Sequence, residues 1–103
     1  MINIIYDRPA HCVTIDGHAL SGDPGKDLVC AAVSTLAFTL AQNLMMIDED
    51  PAIRLDQGFA KLKASHHGEY DKCVGMIFDT ICIGFEMLAE NYPGNVEYDV
   101  VLG

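Results

Sequence analysis

Residues 28–47 read LVCAAVSTLAFTLAQNLMMI, twenty positions without a charged side chain. Such a stretch is nearly long enough to span a bilayer, so its reading decides between a membrane segment and a core helix. Ser34, Thr35, Thr39, Gln42 and Asn43 interrupt it. Leu28, Ala32, Thr35, Leu36, Thr39 and Asn43 fall near one stripe at helical spacing. Val29, Val33, Leu36, Leu40 and Leu44 fall near the next. The pattern predicts a buried helix of a soluble domain, running from Asp27 to about Met46 and covered on more than one side. Asp48-Glu49-Asp50-Pro51 ends it, because proline cannot continue the hydrogen-bond ladder.

On the N-terminal side, residues 17–26 (GHALSGDPGK) hold three glycines and a proline, which predicts a loop. Before it, residues 2–6 and 11–16 read as strands joined by Asp7-Arg8-Pro9-Ala10. Val13 and Ile15 take one face of the second strand, and Cys12, Thr14 and Asp16 the other. The two are expected to pair as a hairpin. On the C-terminal side, residues 52–55 and 59–64 flank Asp56-Gln57-Gly58 as two more strands. Ser65 to Glu69 is a loop. Val74, Ile77, Ile81, Phe85 and Leu88 mark a second helix from Asp71 to about Tyr92, stopped by Pro93-Gly94-Asn95. Val96, Tyr98, Val100 and Leu102 alternate with acids as a last strand. The order ββαββαβ implies one α+β domain over residues 1–103, a two-layer sandwich with two helices on one face of a mostly antiparallel sheet.

The chain has 15 acidic residues against 6 Lys plus Arg, a formal net charge of −9. That argues against nucleic-acid binding, which needs clustered cations, and suits either a basic peptide partner or solubility alone. The first residues lack the basic segment and apolar run of a secretory signal. Four cysteines without a CxxC pair make neither a disulfide scaffold nor a zinc site. Free thiols in a cytoplasmic setting are expected. Adjacent His66 and His67 have no partners at ligand spacing, so no metal is expected.

Among the thiols Cys30 stands apart. With Asp27 as the helix cap, it would sit in the first turn, where unpaired N–H groups and the helix dipole favour thiolate. Backbone N–H groups around Val29, Cys30 and Ala31 would then offer an oxyanion site. His18, twelve positions earlier, is the candidate base. Asp27 would cap the helix or orient His18. Ser34, one turn beyond Cys30, shares its helix face. Gly17, Gly22 and Gly25 would make the intervening loop mobile. Each residue also has a structural reading: a core thiol, a solvated histidine, a simple cap, a serine bonded to its own helix. Cys12 and Cys82 read as small buried hydrophobes, and Cys73, near the second helix start, is the rival nucleophile. A redox role would want a second cysteine close to Cys30.

Gly17-His18-Ala19, a Gly-containing loop, and Asp27-Leu28-Val29-Cys30-Ala31-Ala32-Val33-Ser34 resemble the ribosomal-processing cysteine protease Prp family, with the same His-to-Cys spacing. The resemblance continues in the strand and helix order and in the Glu-Asn-Tyr-Pro segment before the last strand. It implies a cysteine endopeptidase that removes an N-terminal extension from a large-subunit ribosomal protein, cutting after aromatic residues. The family nucleophile falls on Cys30 and its base on His18, with Asp27 and Ser34 in support. It further implies a homodimer, a gating loop between His18 and Cys30, and no cofactor. Exposed apolar residues of the second helix (Met76, Ile83, Met87) are the expected dimer contact. The alternatives are a non-catalytic binding or assembly module of the same fold, and a phage-type peptidase acting on another protein.

Overall fold

The computed structural model describes residues 1–17, 24–65 and 71–103. Five strands and two helices follow in the expected order: β1 (Ile2–Asp7), β2 (Cys12–Asp16), α1 (Pro24–Ile47), β3 (Ala52–Asp56), β4 (Phe59–Lys63), α2 (Asp71–Asn91) and β5 (Val96–Val101). The strands form one sheet in the order β3-β4-β2-β1-β5. Neighbours are antiparallel except β1 and β5, which run parallel with Ile2 opposite Val96.

Period-two patterning sets the two faces. Ile2, Ile4 and Tyr6 of β1, Val13 and Ile15 of β2, Leu62 of β4 and Val96 of β5 are buried beneath the helices. Helix α2 adds Val74, Phe78, Cys82 and Phe85. The opposite face carries Thr14 between Ile5 and Lys61, and Arg54 beside Lys61.

Helix α1 is covered on more than one side, as expected, by the sheet and by α2, and keeps one face open. Val29, Val33, Ala37, Leu40, Ala41 and Leu44 form one buried stripe, while Leu28, Phe38, Met45 and Met46 are exposed. Leu28–Ile47 is long and apolar enough to cross a membrane; here its buried stripe packs against α2 and the sheet. The helix also starts at Pro24, three positions before Asp27. Proline is favoured at a first helical position, where its fixed φ fits and its missing N–H is not needed. Gly25 and Lys26, expected in the loop, therefore belong to the helix.

The β1–β2 turn is pinned to α2. Ala10 N–H donates to Asp7 Oδ1 at 3.3 Å, and His11 closes the turn with φ +48°. Its ring and that of Tyr6 stack on Phe78, at centroid separations of 5.9 and 6.0 Å. The Tyr6 hydroxyl donates to Asp79 Oδ1 at 2.7 Å. The Arg8 guanidinium donates to both Asp79 oxygens at 3.1 and 3.0 Å. The Arg8 hydrogen bonds hold the Asp79 carboxyl below its ordinary range, and burial with the Asp79 bond raises the Tyr6 hydroxyl. A depressed carboxylate stabilises the fold above its unfolded pKa of about 4, and that support fades as pH falls through the folded value. Asp79→Asn is expected to lower stability by about 1 kcal/mol at neutral pH, since the half-exposed pair is screened by solvent. The gap to the wild type should narrow in acid, as urea titrations at a series of pH values would show.

Candidate active site

Strand β2 ends at Asp16 and turns at Gly17, above the side of α1 that carries Cys30. Ser34, one turn on, shares that side. The β3–β4 turn, Gln57-Gly58, lies directly beside Gly17 and closes the space there. Gly17, Cys30, Ser34 and Asp56 to Ala60 line one cavity of about 280 Å³, whose apolar walls are Ile2, Ile15, Val33, Ala37, Phe38 and Leu55. Cys30 is half-buried at its edge. Among the described residues, the only ionisable carboxylate on the wall is Asp56, and the side-chain N–H and O–H donors are Ser34 and Gln57.

Gly17 is fixed here rather than loose. Its N–H donates to Gly58 O at 3.0 Å, and its φ is +117°. A Cβ at this position would stand 2.2 Å from the Met1 carbonyl oxygen. The glycine thus serves a close backbone approach, not mobility. Gly25 is the second residue of α1. His18 and Gly22 lie outside the described residues. Gly17, which precedes His18 in the chain, is on the Cys30 cavity.

The helix start differs from the expected one in two ways. Asp27 is the fourth residue of α1 and cannot be its cap, which must precede Pro24. Cys30 is the seventh residue, in the second turn, beyond the reach of the unpaired N–H groups. The N–H groups of Val29, Cys30 and Ala31 are committed to the helix ladder and are not an oxyanion site. Ser34 and Gln57 are the side-chain N–H and O–H donors on the described wall.

The four thiols divide by accessibility. Cys12 and Cys82 are buried, Cys30 is half-buried and Cys73 is exposed. Burial pushes the Cys82 thiol up to about 12, with a hydrogen bond to Tyr98 pulling the other way. Cys73 lines a different cavity, with Met46, Asp71 and Ile77. In the native protein, alkylation followed by peptide mapping is expected to label Cys30 and Cys73, and to reach Cys12 and Cys82 only in denaturant. The far wall of the site, Phe38, Leu55 and the Gln57-Gly58 turn, was not singled out from sequence. The turn itself was legible; its position beside Cys30 depends on the sheet order.

The described part of the site is a half-buried thiol on an apolar cleft that Gly17 also lines. The model of the family described as cysteine protease Prp matches residues 1–97. The chain belongs to the cysteine protease Prp family. It is similar to SMU.848 from Streptococcus mutans, at 31% identity and a TM-score of 0.80, covering 97% of this chain and 91% of that one. It also shares its fold with the ribosomal processing protease Prp of Staphylococcus aureus. The structure of that protein with a substrate peptide gives a TM-score of 0.76 at 21% identity, covering 97% of both chains. That with a covalently linked product peptide gives 0.75 at 22%, again covering 97% of both. No curated protein matches this chain. The two-layer α+β architecture read from the sequence is the architecture of these neighbours.

Proposed function

We propose that this protein is a cysteine endopeptidase that removes the N-terminal extension of a large-subunit ribosomal protein in the cytoplasm, with Cys30 as nucleophile and His18 as base. The observation that carries this reading is the position of Cys30, the one half-buried thiol, on an apolar cleft that Gly17 also lines. Family membership supports the chemistry, and the S. aureus relative, described as a ribosomal processing protease, supports the substrate. His18 takes the thiol proton as sulfur attacks the scissile carbonyl. The imidazolium then protonates the departing amine, and water hydrolyses the thioester. Ser34, on the same wall, and Asp27, in the same helix, are the supporting residues. The apolar wall of Val33, Ala37 and Phe38 suits an aromatic side chain beside the cut. The surplus of acids suits a basic substrate. The working unit is a homodimer, with the exposed Met76, Ile83 and Met87 of α2 as its contact.

The test is incubation of the protein with a synthetic peptide spanning that ribosomal extension, read by mass spectrometry. A single cut after an aromatic residue is the expected result. An intact peptide, with the protein folded and Cys30 unreactive to iodoacetamide, would leave a non-catalytic binding module of the same fold. An intact peptide with a reactive Cys30 would point to another protein substrate.

A further inference from the structure

Strand β3 is an outer strand of the sheet, hydrogen-bonded on one side only. Which of its backbone groups face outward follows from the ladder. Ala64 N–H donates to His11 O at 3.0 Å, and Gly58 O accepts from Gly17 N–H at 3.0 Å. The even-numbered residues at both ends of β4 thus turn their backbones toward β2. Antiparallel bonding alternates along a strand. Phe59, Lys61 and Lys63 therefore bond to their partners Asp56, Arg54 and Ala52. The N–H and C=O groups of Ile53 and Leu55 are left pointing out of the sheet.

This edge runs into the Cys30 cavity. Leu55, 44% exposed, lines it, as does Asp56. An open edge with apolar side chains is a liability that proteins ordinarily cover or charge. Here its continuity with the catalytic cleft names the occupant. Strand β5, at the other margin, is separated from β3 by three strands and contributes nothing to that cavity.

We propose that β3 binds the substrate peptide as a sixth strand, through the main-chain groups of Ile53 and Leu55, and delivers the scissile bond to Cys30 at the Asp56 end. The inference rests on the peptidase reading above. Main-chain bonding supplies register and affinity largely independent of side chains, and alternate substrate side chains face opposite sides. Those on the Leu55 side meet the apolar wall at Phe38. Those on the other side pass the Arg54–Asp56 ion pair.

The experiment is a scan of the same ribosomal-extension peptide, N-methylated at one amide at a time, with cleavage by the wild-type protein. Hydrogen exchange of the β3 amides in the Cys30→Ala protein is measured with and without the unmethylated peptide. Strand addition predicts a period-two pattern, with KM raised about tenfold at alternate amides and little changed between them. It also predicts slower exchange at Ile53 and Leu55, with little change at Arg54 and Asp56, which are already bonded. A cut peptide with no period-two pattern and unchanged exchange at Ile53 and Leu55 would overturn the sixth-strand proposal and leave the peptidase standing. An unmethylated peptide neither cut nor bound would overturn both.

Discussion

Cys30→Ala is expected to abolish cleavage of the ribosomal-extension peptide, by about 10⁴-fold or more, and to leave the fold intact. The size follows from the chemistry: without sulfur no thioester forms, and what remains is binding and orientation alone. No other described thiol can substitute. Cys12 and Cys82 are buried, and the Cys82 proton is held up to about 12. Cys73 opens onto a separate cavity. The structural effect should be small, because Cys30 is only half-buried and alanine keeps the helix. The measurement is kcat/KM beside a thermal melt, with Cys73→Ala as the matched control that retains full activity. A Cys30→Ala protein as active as the wild type would remove Cys30 from the mechanism.

Gly17→Ala is expected to cost about 3 kcal/mol and to depress activity as well. Two penalties act together. The φ of +117° is one that side chains rarely adopt, and such strain costs of order 1–3 kcal/mol. The new methyl would also stand 2.2 Å from the Met1 carbonyl oxygen. Both partners are backbone at strand ends, so neither relaxes by a rotamer change. Any displacement pulls on the Gly17–Gly58 hydrogen bond that ties the end of β2 to the β3–β4 turn. The cleft would open where Gly17 and Gly58 both line it. A lower urea midpoint with unchanged slope, and a lower kcat/KM, are the readouts. Gly94→Ala, with nothing within 4 Å, is the neutral comparison.

Most of the fold was legible because its signals are local. The alternation Val13/Ile15 against Cys12/Thr14/Asp16 fixed the inward face of β2, and Asp56-Gln57-Gly58 marked a hairpin. What failed was also local. Gly25 and Lys26 follow a glycine-rich run and look like loop, but Pro24 starts the helix. That shift of three residues moved Cys30 out of the first turn. The helix dipole therefore does not set Cys30 apart, whereas the two-segment motif around it does not depend on the cap. The parallel pairing of β1 with β5 has no signature in either segment, since nothing in Val96 to Val101 specifies which strand it will join. For the same reason the Phe38, Leu55 and Gln57 side of the cleft was out of reach: it exists only once the sheet order is known.

That parallel pairing bears on when the protein can first work. Ile2 and Val96 are neighbours in the sheet although 94 positions separate them in the chain. During synthesis the hairpin of β1 and β2 can form early, but one edge of β1 stays open until β5 has left the ribosome. Pairings of such long range form late and slowly. Ile2 is also a wall of the Cys30 cleft, and the Met1 carbonyl is what Gly17 packs against. The Cys30 cleft is thus built on a strand that the last strand must lock in place, so the cleft is complete only once β5 has left the ribosome.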